Sequence, residues 1–70
     1  MKDTRPGKLF LARELIDKDP MAAAYAIMMR LDEGSPYYDL AWALSHDGSC
    51  HRNDVYGLIE YLPDVVEVSG

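Results

Sequence analysis

The sequence predicts an all-α fold: a compact bundle of about four short helices with a short extended C-terminal tail. Three observations carry this expectation. Cap-and-proline pairs, Asp19-Pro20 and Ser35-Pro36, announce a helix start twice. Between the Gly and Pro punctuation marks, apolar residues recur at helical spacing. The β-prone run, Val65-Val66-Glu67-Val68, is short and stands near the end of the chain.

The first helix is expected from Pro6 to Lys18, because Leu9, Leu11, Ala12, Leu15 and Ile16 fall within about 160° at 100° per residue. Phe10 lies outside that stripe, beside Arg13, Glu14 and Asp17. Gly7 weakens the opening turn, which favours a start nearer Lys8. The second helix should run from Pro20 to about Glu33 and is apolar nearly all round, the mark of a central helix. Met21, Tyr25, Ile27, Met28 and Leu31 share its broad face, and Ala22, Ala23 and Ala26 share the other, where a second backbone can approach closely. Gly34 ends it. The third helix should span Pro36 to about His46, with Tyr37, Leu40, Ala41 and Leu44 on one face and Tyr38 and Trp42 on another beside Asp39 and His46. Asp47-Gly48-Ser49 is a turn. The fourth helix is expected from Asp54 to Leu62 after an Asn53 cap, burying Val55, Leu58, Ile59 and Leu62, with Pro63 as its stop; a start at Ser49 is the weaker alternative. The tail then packs on the bundle as an arm, pairs with the N-terminal residues, or pairs with a strand of another protein.

With 70 residues, 49% of them apolar, the chain has material for a single small helical domain, residues 1–70, and not for two independent cores. One cysteine makes no internal disulfide, and no evident four-ligand set replaces it. The longest apolar run, Met21 to Met29, spans nine residues. A membrane span needs about twenty, so no membrane partner is expected and the cytoplasm is the expected compartment. Hydrophobic burial in so small a domain barely offsets chain entropy. Nearly every large apolar side chain must then be used, or a second copy or another protein completes the core.

Candidate chemistry is sparse. His46, Cys50, His51 and Asp54 belong to the zinc ligand types, but their spacing has neither a CxxC nor an HxxxH pair. No metal and no cofactor are expected. Cys50 beside His51 is the one candidate nucleophile; sequence neighbours rarely face each other as a base and a nucleophile must, and no catalytic residue is expected. The glycines are isolated, which excludes phosphate-cradling loops. A helix-turn-helix would place Pro36–Leu44 in a groove, yet that segment carries Asp39 and no Lys or Arg, so direct nucleic-acid contact through it is not expected.

Charge placement says more. The net charge is -5, yet residues 1–30 hold six bases against four acids, +2, while residues 31–70 hold Arg52 against eight acids, -7. An acidic half steers toward basic surfaces, and nucleic-acid-binding grooves on proteins are the commonest of these. Interface centres are enriched in aromatic side chains. The expected partner-binding residues are therefore Trp42 and Tyr38 with Asp32, Glu33 and Asp39 around them, and Phe10 as a second anchor. The leading expectation is a non-enzymatic inhibitor or modulator that docks this surface on a basic protein or nucleoprotein. In size and charge the chain is similar to phage and mobile-element inhibitors of host nucleic-acid machinery such as anti-CRISPR proteins, an analogy that rests on no shared motif. The alternative is a small dimeric DNA-binding regulator or antitoxin-type component that pairs through the alanine face of the second helix and meets phosphates with Lys2, Arg5, Lys8 and Arg13. An obligate homodimer with no further partner is the third option.

Overall fold

The computed structural model describes residues 8–69. In chain order its elements are β1 (Leu9–Ala12), α1 (Arg13–Lys18), α2 (Pro20–Arg30), α3 (Pro36–Ser45), α4 (Arg52–Ile59) and β2 (Val65–Val68). The described fold is mostly helical but not purely so, because β1 and β2 pair in parallel with Leu9 opposite Val65 and Ala12 opposite Val68. All four helices lie in the crossover between them, as a parallel pair requires a long return path.

This pairing corrects the first helix. Leu9–Ala12 is strand, and only Arg13–Lys18 is helical; the expected start at Pro6 and Gly7 lies outside the described residues. The tail takes the second of its three expected roles. Leu9 N–H donates to the Asp64 carbonyl at 2.7 Å, opening the ladder. Strand alternation then turns Leu11 into the core and Phe10 out to solvent, with Val66 beside Phe10 by register. Leu15, placed on the buried stripe by helical spacing from Leu9, is instead exposed, because the rotation of α1 is no longer continuous with those residues.

α1 is short and is tied at both ends. Glu14 and Lys18 pair at 3.2 Å in the favourable i, i+4 order. Arg13 reaches Glu67 of β2 at 3.7 Å, and the Tyr56 hydroxyl on α4 donates to Asp17 at 3.0 Å. Arg13 is half-exposed and Glu67 is partly buried, its Oε1 without a partner, so this long pair contributes about 0–1 kcal/mol.

Asp19 caps α2 as expected, accepting from Ala22 N–H at 3.2 Å. The helix stops at Arg30, three residues before the expected Glu33; Leu31 is already extended and Ser35 N–H donates to the Asp32 carbonyl in a turn. The helix dipole explains the early stop: Arg30 suits the negative C-terminal end, while Asp32 and Glu33 would sit there against it. The inward face also differs from expectation. Ala23, Ala24, Ile27 and Met28 are buried, whereas Tyr25 and Met29 point outward. A helix apolar all round has no polar arc to set its rotation, so packing decides. α2 packs most extensively on α3, and the fully buried Ala23, Ala24 and Ala41 let the two backbones come close.

Ser35 caps α3 through Tyr37 N–H at 3.2 Å. α4 begins two residues earlier than expected and its cap is His51, not Asn53. His51 Nδ1 accepts from Asn53 N–H at 3.1 Å, and Asp54 Oδ2 accepts from His51 N–H at 3.0 Å, a reciprocal capping box. Val55, Leu58 and Leu62 are buried as expected, whereas Ile59 is half-buried and the helix ends there, three residues before the expected Leu62. The core gathers these with Leu11, Ile16, Ala23, Ala24, Ile27, Met28, Ala41 and Val65. No helix among the described residues is long and apolar enough to cross a membrane.

Candidate functional site: the two flanks of α3

α3 presents two different surfaces. Taking 100° per residue, Asp39, Trp42 and His46 fall within about 60°, while Leu40 and Leu44 lie on the opposite flank. Ala41 is buried between them.

On the first flank the Trp42 ring is 49% exposed. It is not loose. The His46 ring stacks on it at 4.2 Å with 24° between planes. His46 Nδ1 lies 2.9 Å from the Trp42 carbonyl oxygen and 3.0 Å from the Ser45 hydroxyl. The Ser45 hydroxyl donates to the same carbonyl at 2.8 Å. An indole fixed in this way loses little rotamer freedom when a partner covers it. Asp39 and Glu33 are exposed nearby in sequence, and Asp32 stands in the turn ahead of α3. Tyr38 is half-buried and packs against the core, so it supports the ridge more than it offers a surface. Phe10 is 62% exposed, but its strand packs on α1, α2 and β2. The structure thus groups Asp39, Trp42 and Tyr38 on one helix and keeps Phe10 on the sheet.

The second flank faces α4 across a groove of about 330 Å³, lined by Leu40, Leu44, Leu58, Gly57, Tyr61, Asn53, Asp54 and Glu60. Leu40 is 47% exposed and Tyr61 64% exposed, so the groove is open along its walls. Tyr61 stacks on Tyr37 of α3 at 5.8 Å and closes one end of the α3–α4 interface. Sequence reasoning missed this groove, counting Leu40 as core. A signal was present in Gly57, a helix-breaking residue in the middle of a helix. A Cβ built at Gly57 meets nothing within 4 Å. Gly57→Ala is therefore expected to stabilise the fold by about 0.5–1 kcal/mol through helix propensity alone. A thermal melt checks this, and a lowered midpoint would show that the site is tighter than described.

The residues weighed as chemistry are used structurally. His51 and Asp54 cap α4, and His46 holds Trp42. Among the described residues no group of three or more His, Cys, Asp and Glu side chains converges as a metal site. Cys50 is half-buried, its thiol 4.0 Å from the His51 carbonyl, while the His51 ring nitrogen is taken by Asn53. Burial pushes the thiol pKa up, and the carboxylates of Asp54 and Asp47 push it further. A raised pKa means less thiolate at neutral pH. Iodoacetamide should modify Cys50 more slowly than N-acetylcysteine at pH 7.5, with its rate midpoint at higher pH; a faster reaction would contradict the geometry.

Of the basic residues considered for phosphate contact, Lys2 and Arg5 lie outside the described residues, Lys8 is exposed and Arg13 is beside Glu67. Comparison with protein-family models, with curated proteins and with solved structures gives no match to this chain.

Proposed function

We propose that this chain is a non-enzymatic binding protein that docks the Trp42 flank of α3 on a basic protein surface and blocks or modulates it. Occlusion of a nucleic-acid-binding groove is the concrete mechanism, as in the phage and mobile-element inhibitors that the chain resembles in size and charge. The observation that carries the reading is the placement of Trp42. A chain this short has every incentive to bury its lone tryptophan, yet Trp42 stands half-exposed, stacked by His46, with Asp39 one turn earlier on the same helix. An aromatic anchor rimmed by carboxylates is the arrangement that hot spots against basic partners use.

Immobilised protein incubated with lysate should retain one dominant basic or nucleoprotein partner, released as salt rises. Trp42→Ala should weaken that capture about tenfold or more, the usual effect of removing a central aromatic, without moving the thermal midpoint by more than a few degrees. Capture that survives Trp42→Ala, or that ignores salt, would refute the reading.

A further inference from the structure

We infer that the groove between α3 and α4 is a docking site for an arginine side chain presented by a protein segment. This is a second recognition feature, on the opposite flank of α3 from Trp42, and it stands whether or not the Trp42 surface binds anything. Three observations lead to it. The walls are apolar: Leu40, Leu44 and Leu58 line a groove of about 330 Å³, and Leu40 remains 47% exposed although it belongs to a packed helix. Charge in the lining is of one sign, since Asp54 and Glu60 are its only ionisable acids and no Lys or Arg lines it. Neither carboxylate is paired with a Lys or Arg among the described residues. Finally, Gly57 lines the groove, and nothing within the chain would collide with a side chain there. Internal packing gives no reason for a residue that suits a helix interior so poorly. A glycine in that place lets an incoming group lie against the backbone of α4.

The occupant follows from the chemistry of the lining. An aliphatic stem suits the leucines, and a cationic head suits Glu60 and Asp54, whose Oδ2 accepts from His51 N–H. Tyr61, 64% exposed at the groove, offers a ring face. Arginine combines these needs: its stem packs on apolar surface, its cation complements the acidic lining, and its plane stacks on aromatic rings. Lysine has the stem and the charge but not the plane. An enclosed small-molecule site buries most of its ligand; an open-walled groove instead receives one side chain from a chain that lies across it.

The test uses the intact protein and two probes, the acetylated and amidated tripeptide leucine-arginine-leucine and its citrulline counterpart, which keeps the shape and loses the charge. Amide chemical shifts are followed by NMR at low ionic strength. The arginine peptide should produce saturable shifts concentrated in residues 40–44 and 53–61. Citrulline should bind about tenfold more weakly, the scale of a lost partly desolvated charge pair. Gly57→Leu, which fills the floor, should weaken the arginine peptide about tenfold or more, and Glu60→Gln about fivefold. The same spectra report whether each variant is folded, and Glu60→Gln, an exposed change, keeps the test alive if Gly57→Leu is not. Trp42→Ala should leave the titration unchanged, which separates this site from the Trp42 surface. Equal binding of the citrulline peptide, shifts centred elsewhere, or a Gly57→Leu protein that is folded and binds as well as the original would each overturn the assignment.

Discussion

Ile27→Ala is expected to abolish the cooperative fold at 37 °C. Ile27 is fully buried on α2, one of three large side chains with essentially no exposure, the others being Ile16 and Val55. Removing its outer atoms loses their transfer free energy and leaves a cavity, about 2–5 kcal/mol together. A domain of this length holds only about 3–5 kcal/mol in its core before any staple is added, and no disulfide is available to Cys50 within the chain. The loss is comparable to the whole. Urea titration followed by circular dichroism should show a broad, early transition for Ile27→Ala. Ile27→Val, at about 1 kcal/mol, should keep a sharp one. A near-native midpoint for the alanine variant would mean that α2 does not carry the core.

Ending the chain after Asp64 is expected to be as damaging, although it removes no helix. Val65 is buried, and β2 is the only described strand that pairs with β1. Without it Leu11 loses its neighbour strand, Leu9 and Leu11 lose their ladder partners, and Arg13 loses Glu67. The shortened chain should behave as a collapsed state with helix signal but no cooperative melting. Point changes separate the causes. Glu67→Gln removes a long ion pair to a half-exposed Arg13 and relieves the charge on a carboxylate whose Oε1 is buried without a partner, and should cost under about 1 kcal/mol. Val66→Thr lies on the outer face with Phe10 and should cost about 0.5 kcal/mol or less, as surface changes do. Val65→Thr places a hydroxyl in the core and should cost about 1–3 kcal/mol. Equal effects at Val65 and Val66 would contradict the strand alternation.

How much was legible in the sequence depended on the range over which each signal acts. Asp19-Pro20 and Ser35-Pro36 act within one turn, and both helix starts are where they point. Leu9–Ala12 carries the apolar spacing of a helix, and what makes it a strand is pairing with Val65–Val68, more than fifty residues on. His51 was passed over as a cap because histidine is an uncommon one, although Asp54 three residues on has the capping-box spacing. A place off the apolar stripe of α3 fits a surface anchor or a plug of the bundle equally in so small a domain, and it is the structure that leaves Trp42 49% exposed. The groove had only Gly57 to announce it, because Leu40 shares the apolar stripe with Ala41 and Leu44, and it is the packing of α3 against α4 that leaves Leu40 47% exposed.

The parallel pairing of the first and last described elements also sets an order of events. β1 is made before every helix and stays without its partner until Val65–Val68 have been synthesised. Helices close on local contacts within microseconds, whereas a strand pair separated by most of the chain waits on a long loop closure. Until β2 pairs with it, β1 leaves Leu9 and Leu11 as an uncovered apolar edge. The fold therefore closes last at its sheet, and the chain is at its most association-prone while β1 still waits for Val65–Val68.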